Sequence, residues 1–224
     1  MSQNISSVLK INDTKILSLN SEDLAYWYFR LNGFLTIQNF VVHPNSGSAQ
    51  RTEIDLIAVR FPYRKELPEN ENPMQDDERL NLKPDKIRII FAEIKANRRC
   101  NINHAWTNPD KKNMNQTLSA IGAFDQETLV SVSNELYQQR YYEGKNFVVS
   151  LCCLGKETNK NIRSKFPNVP QLTWNDVLSF IYERFNKYEI HKRQHHQWDK
   201  TGQTLYEHFQ KCCSFEEFHS IIKI

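Results

Sequence analysis

Two charged residues near the end of an apolar segment have types and spacing suited to hydrolytic chemistry. Residues 87–96 read IRIIFAEIKA, and Glu93 and Lys95 lie two positions apart within them. Side chains two apart on a β-strand share a face, so this carboxylate and ammonium group point the same way while Ile94 points into the core. An alternative interpretation is a plain ion pair where the sheet meets water.

A second carboxylate, Asp55, lies near the end of another apolar segment, EIDLIAV at residues 53–59. If the two segments pair as strands, Asp55 and Glu93 come close together, and two such carboxylates repel each other unless a cation lies between them. Hard oxygen ligands suit Mg²⁺ or Mn²⁺. A nearby lysine can orient water or stabilise a charged transition state. This set predicts metal-dependent phosphodiester hydrolysis.

The elements that position these residues follow from hydrophobic periodicity. Strands are predicted at 34–42, 53–61, 87–96 and 146–154, with a short edge strand at 170–173. Helices are predicted from Ser21 to the Asn32-Gly33 stop, at 114–124, 127–140 and 174–188, and in the tail 191–224. Hairpin-linked strands followed by a crossover helix and another strand imply a mixed sheet with helices on its faces.

Residues 62–86 separate the Asp55 strand from the Glu93 strand and read as a polar insertion. The stretch contains four prolines and the acidic run DDE at 76–78, so we predict a long loop and not a core element. It could fold over the site, bind a partner or be disordered.

The chain resembles the PD-(D/E)XK nuclease superfamily in four motifs that occur in order. They are SEDLA at 21–25, GF at 33–34, EIDLIA at 53–58 and FAEIK at 91–95. The resemblance spans roughly residues 20–155 and is closest to the Holliday-junction-resolvase-like and Mrr-like branch.

The resemblance implies an α/β fold with a restriction-endonuclease-like mixed β-sheet core (αβββαβ) flanked by helices. The nuclease-like domain would cover residues 1–190, including the insertion 62–86. A helical C-terminal extension at 191–224 would pack on it.

The resemblance also assigns roles in the site, with Mg²⁺ (or Mn²⁺) as the cofactor. Asp55 and Glu93 would be metal ligands, with the Ile94 carbonyl as a third, and Lys95 would be the catalytic lysine. Glu22 would complete the site directly or through water, and Glu53 would be an auxiliary ligand.

Gln116 matches a glutamine that some branches place beside the site, although a solvated helix residue is an equal alternative. The sequence departs from the family pattern in two ways. Ile54 replaces the usual proline before the aspartate, and the connection from Asp55 to Glu93 is longer and more acidic. The second departure leaves open how substrate reaches the site.

Charge is distributed unevenly, although the formal net charge is only +3. Residues 63–86 carry five basic and seven acidic residues, whereas residues 95–112 carry five basic residues and one acidic residue. We therefore predict that Arg98, Arg99, Lys111 and Lys112 hold nucleic-acid phosphates and that Trp106 stacks on a base. The alternative is a solvated loop with a packed tryptophan.

DNA is the expected partner and RNA remains an alternative. Nucleases of this type often pair to cut both strands, so a homodimer is one option and the oligomeric state stays open. No secretory signal or membrane-spanning run is visible, so a cytoplasmic location without a membrane partner is expected. His208, Cys212, Cys213 and His219 form an atypical candidate zinc set. A catalytically inactive nucleic-acid-binding or assembly module is the alternative function, and an interaction protein using the acidic insertion is a third.

Overall fold

The computed structural model describes residues 16–43, 52–193 and 199–224, which form a mixed α/β fold. The strands are β1 (Leu17–Ser18), β2 (Leu35–Val42), β3 (Thr52–Arg60), β4 (Ile87–Ile94), β5 (Tyr141–Glu143), β6 (Phe147–Gly155), β7 (Gln171–Thr173) and β8 (Ile222–Lys223). The helices are α1 (Ser21–Leu31), α2 (Asn113–Ile121), α3 (Gln126–Gln139), α4 (Lys160–Lys165), α5 (Trp174–Lys187), α6 (Glu189–Lys192), α7 (Lys200–Phe209) and α8 (Phe215–Ile221).

The main sheet has the strand order β2-β3-β4-β6-β5, and β7 also pairs with β6. The neighbours β2, β3 and β4 are antiparallel, whereas β4 and β6 are parallel. The crossover from β4 to β6 contains α2 and α3, as a parallel pair requires. The predicted mixed sheet is therefore confirmed, with element ends shifted by up to three residues; β5 and α4 were not predicted.

Helices cover both faces of this sheet, because its central strands are apolar on both sides. On one face, Leu56 and Ala92 are buried in a cluster with α1, α5, α7 and α8. On the other face, Ile57 and Phe91 are buried in a cluster with α2 and α3. The C-terminal helices thus pack on the α1 side and leave the α2 side to the crossover helices.

The segment 62–86 is anchored in the fold, which corrects the prediction that it holds no core element. Leu80, in a short 3-10 helix (Glu78–Leu80), is fully buried in the cluster around α1. The Tyr28 hydroxyl donates to Asp77 Oδ2 at 2.8 Å, and Asn32 Oδ1 accepts from the Asp77 amide at 2.6 Å. The isolated leucine gave no periodic signal, so its burial was not readable from sequence.

The same segment contacts β3 and α5 through its acidic residues and carbonyl groups. Asp76 pairs with Arg60 at 2.5 Å, and Arg184 donates to the Gln75 carbonyl. Within the described residues, no ion pair joins residues 62–86 to the basic loop 95–112. The contacts therefore hold the acidic segment against the α1 and α5 side of the molecule.

Replacing Leu80 with alanine is expected to lower the free energy of unfolding by about 2–5 kcal/mol, since a fully buried leucine leaves a cavity. Urea denaturation monitored by tryptophan fluorescence measures this change. Leu35→Ala is the matched control, because Leu35 is 63% exposed. Equal small effects for both variants would show that the segment is not part of the core.

Two smaller expectations concern cysteines and membranes. Cys152 and Cys153 are buried in β6. Across the described ranges, no three or more His, Cys, Asp or Glu side chains are arranged to hold a metal ion, so the zinc set gains no support. No helix in the described part of the chain is long and apolar enough to cross a membrane.

Candidate active site

The end of β4 brings Glu93 opposite Asp55 of β3. Leu56 pairs with Ala92 across these antiparallel strands, and the regular pairing ends there, so Asp55 and Glu93 occupy the next position. Beyond it, Asp55 Oδ2 accepts a hydrogen bond from the Ile94 amide at 2.6 Å. A carboxylate thus binds the N–H group at the end of β4, which fixes Asp55 beside Glu93.

A backbone distortion in β2 interrupts the strand pairing on the other side of Asp55. Gln38 pairs with Leu56 and Phe40 with Ile54, so Asn39 lies opposite Asp55, and its φ is 52°. Asparagine tolerates this left-handed conformation better than most residues. Asp55 therefore interrupts the regular pairing on both sides. This feature had no sequence signal beyond the residue type.

Lys95 completes the cluster at the end of β4. Its Nζ lies 2.8 Å from Glu93 Oε2, and its amide donates to the Leu154 carbonyl of β6 at 2.9 Å. The Glu93 side chain is only 3% exposed and that of Lys95 is 20% exposed. Glu93 and Lys95 thus form the ion pair that the alternative interpretation predicts. Because Glu93 is buried, however, it is not a solvent-exposed pair at the edge of the sheet.

Burial disfavours the ionised form of both carboxylates. Desolvation raises the pKa of Asp55, while the Ile94 amide and Lys95 act in the opposite direction. Desolvation also raises the pKa of Glu93, and its hydrogen bond and charge interaction with Lys95 lower it only in part. The site therefore favours additional positive charge, which would stabilise the ionised form of both residues.

Two residues of the following loop hold Glu93 in place. Asn103 donates from Nδ2 to Glu93 Oε1 at 3.0 Å, and its Oδ1 accepts from Lys95 Nζ at 3.4 Å. A hydrogen bond with Trp106 also lowers the pKa of Glu93. Trp106 is 1% exposed, so the prediction that it stacks on a base is corrected in favour of the packed alternative. Asn103 was missed, as it is one of several asparagines in a polar loop.

Replacing Asn103 with alanine is expected to cost about 1.5–3 kcal/mol of folding free energy, because the buried Glu93 carboxylate loses a donor. Chemical denaturation at neutral pH measures the loss. Asn97→Ala is the control, since Asn97 is an exposed residue of the same loop. A loss no larger than that of the control would show that Asn103 does not support Glu93.

Glu22 reaches the cluster from the first turn of α1. The N-cap of this helix is Asn20, because the Asn20 side chain accepts from the Glu22 amide at 2.7 Å. Glu22 is half-buried, and burial together with the carboxylates of Asp55 and Glu53 raises its pKa. These interactions place Glu22 on the Asp55 side of the cluster.

The donor set fits a cation held by two carboxylates. Among the described residues, no three His, Cys, Asp or Glu side chains are arranged to hold a metal ion together. Glu22 therefore does not join Asp55 and Glu93 as a third direct ligand. Asp55 and Glu93 remain as candidate carboxylate ligands, and Ile94 directly follows Glu93 in the sequence. Mg²⁺ is commonly bound by one or two carboxylates with water in the remaining positions.

Gln116 is a partly buried residue of α2. It lines a cleft of about 470 Å³ with Val42 and Lys112, between α2 and the end of β2. Asp55, Glu93 and Lys95 are not among the described residues that line this cleft. The role of Gln116 beside the site stays a prediction.

The four predicted phosphate-binding residues are all exposed, but they divide into two groups. Arg98 and Arg99 lie in the turn directly after Lys95, whereas Lys111 and Lys112 lie at the start of α2. Both pairs can therefore reach a ligand, from different directions.

Comparison with known proteins finds no matching family model, no similar curated protein and no similar solved structure. The assignment of function consequently rests on the residues and their geometry.

Proposed function

We propose that this chain is a metal-dependent nuclease that hydrolyses phosphodiester bonds of DNA, with a restriction-endonuclease-like fold of PD-(D/E)XK type. The observation that carries the proposal is the convergence of Asp55, Glu93 and Lys95 where the pairing of β3 with β4 ends. The order of elements, α1, three antiparallel strands, crossover helices and a parallel strand, supports the same assignment.

Asp55 and Glu93 are the proposed ligands of Mg²⁺ or Mn²⁺, with the Ile94 carbonyl as a third. Their opposed carboxylates, each with a pKa raised by burial, are suited to a divalent cation. When bound, the cation supplies positive charge that offsets the charge developing on the phosphate. Glu22 adds negative charge near Asp55 and can hold a ligand water in place.

Lys95 is the proposed catalytic residue that acts on the water and the phosphate. Its ammonium group is a compact point charge with three donors, and its partners Glu93 and Asn103 fix its position. In hydrolysis, the water oxygen bonds to phosphorus and one P–O ester bond breaks. The leaving oxygen gains a proton and the attacking water loses one. A positioned lysine lowers the barrier because it stabilises charge that increases in the transition state.

One observation favours a second candidate, a DNA-binding module that does not cleave. Both oxygens of Glu93 already accept hydrogen bonds within the protein, from Lys95 and from Asn103. In this alternative the ion pair is a structural support and the basic loop alone has the function.

A cleavage assay decides between the two candidates. The purified chain is incubated with linear, circular and branched DNA and with RNA, in Mg²⁺, in Mn²⁺ and in EDTA. The proposal predicts metal-dependent cleavage of DNA that is lost in Asp55→Asn and Lys95→Gln. DNA binding without cleavage in any metal would establish the second candidate.

Contamination is the main alternative explanation of any observed cleavage. The two variants are therefore purified in parallel with the wild-type chain and compared at equal concentration. Equal cleavage by all three proteins would exclude the proposed site as its source.

A further inference from the structure

A polar cleft lies directly beyond the proposed catalytic lysine, at the ends of the parallel strands β4 and β6. It has a volume of about 560 Å³ and is lined by Asn97, Arg98, Arg99, Asn101, Lys156 and Glu157. Ligands commonly bind outside the carboxyl ends of parallel strands, where loops from neighbouring strands diverge. The loop after β4 contributes four of these residues, and the loop after β6 contributes two.

Backbone hydrogen bonds hold the two loops against each other. The Lys156 amide donates to the Arg98 carbonyl at 2.8 Å, and the Cys100 amide donates to the Glu157 carbonyl at 2.7 Å. Gly155 allows this close approach, since a Cβ atom there would lie 2.7 Å from the Arg98 oxygen. The cationic side chains therefore extend from a fixed backbone.

Helix α4 continues the positive surface from the rim of this cleft. Its N-cap residue Asn159 donates from Nδ2 to the Cys100 carbonyl at 3.1 Å, and Ile162 is buried with Cys100 and Cys153. These contacts fix α4 beside the turn that carries Arg98 and Arg99. We name the combined region, residues 98–99 and 156–165, the loop–α4 surface.

The loop–α4 surface is strongly cationic. It contains six basic residues and one acidic residue, Glu157. All six basic residues are exposed: Arg98, Arg99, Lys156, Lys160, Arg163 and Lys165. No ion pair to any of them occurs in the described part of the chain, so their charges are available to an anionic ligand.

We propose that the loop–α4 surface binds the phosphate backbone of duplex DNA next to the cleaved bond, an inference that rests on the proposed nuclease function. Guanidinium, ammonium and amide groups are the donors that contact DNA phosphates. Single strands are held mainly by stacking on aromatic rings, and the described residues lining the cleft include none. The surface thus matches a duplex backbone, without base-specific contacts.

The geometry connects this surface to the catalytic residues. Arg98 is three residues from Lys95, so their Cα atoms are at most about 10 Å apart. The indole of Trp174 donates to the Ala96 carbonyl at 2.8 Å and fixes the chain between them. A backbone bound by Arg98 and Lys156 therefore passes close to Lys95.

The test measures DNA binding in EDTA, where no cleavage occurs. A triple variant, Arg98→Gln with Lys156→Gln and Arg163→Gln, is compared with a control that removes equal charge from exposed sites elsewhere, Lys145→Gln with Lys200→Gln and Lys211→Gln. Fluorescence anisotropy with a labelled duplex is recorded over a salt series. Circular dichroism verifies that both variants are folded.

The triple variant is expected to raise Kd for duplex DNA by at least about tenfold and to reduce the slope of log K against log salt by about 2–3. The control is expected to change both quantities much less. Equal Kd and slope for the two variants would overturn the inference, as would tighter wild-type binding of single-stranded DNA or duplex RNA than of duplex DNA.

The outcome is separable from the test of nuclease function. Loss of duplex binding in the triple variant supports the surface even if the wild-type chain never cleaves. Conversely, cleavage by a chain whose duplex binding is unchanged in the triple variant would leave the nuclease proposal standing and remove this one.

Discussion

Replacing Lys95 with glutamine is expected to lower the rate of DNA cleavage by about 10²–10³-fold, the usual cost of removing one positioned donor from a transition state. Glutamine removes the charge but its amide can still donate to Glu93, which now receives an ammonium hydrogen bond at 2.8 Å. Because Lys95 acts on the reacting groups, the loss should appear in kcat, with little change in KM.

Single-turnover cleavage of a labelled duplex in Mg²⁺ measures this effect, and anisotropy in EDTA shows whether binding persists. Lys145→Gln is the matched control, since Lys145 is exposed and lies outside both the cluster and the basic loop. If Lys95→Gln retained the wild-type kcat, the lysine would be only a structural partner of Glu93 and would have no part in the cleavage.

Replacing Asp55 with asparagine is expected to have opposite effects on stability and activity. Burial raises the pKa of Asp55 above its ordinary value, so its ionised form is disfavoured by folding. The contribution of this group to stability is full at acidic pH and is lost as the pH rises through its folded pKa. At neutral pH in EDTA, the uncharged asparagine should therefore raise Tm, while an oxygen remains to accept from the Ile94 amide.

The same substitution removes a proposed ligand of the cation. Mg²⁺ should stabilise the wild-type chain and so raise its Tm. The stabilisation free energy is about 2.7 kcal/mol when the Mg²⁺ concentration is one hundred times Kd. This stabilisation should disappear in Asp55→Asn, and cleavage should decrease by at least about 100-fold, because loss of even an outer-sphere partner costs 10–100-fold.

Thermal melts with and without Mg²⁺ measure both parts of this prediction. Asp85→Asn is the control, because Asp85 is exposed and lies outside the cluster. Equal Mg²⁺ stabilisation of wild type and Asp55→Asn would remove Asp55 from the cation site. A lower Tm for Asp55→Asn in EDTA would contradict the inferred cost of its burial.

The strands and helices were predictable because their residues repeat with the periods of regular structure. The segment 87–96 is almost continuously apolar, and β4 pairs on both sides in the structure. Side chains alternate between the two faces of β3, so Asp55 and Leu56 lie on opposite faces, and Leu56 is buried on the α1 face. Short elements such as β5 and α4 gave no such repeat and were missed.

Two site residues were misplaced or missed for one common reason, since their positions depend on contacts between distant segments. Trp106 is buried under the α2 face, and Asn103 bridges Glu93 and Lys95. Each lies in a polar loop or on a helix whose orientation the sequence pattern does not specify.

The sequence by itself determined which residues can do chemistry, because residue type sets charge and strand periodicity sets the shared face of Glu93 and Lys95. It also determined the mixed sheet, through the order of apolar segments. Only the tertiary structure decided that Asp55 lies beside Glu93, because strand register depends on pairing between segments far apart in the chain. The close approach of two loops at Gly155, which assembles the loop–α4 surface, was decided by the same kind of long-range packing.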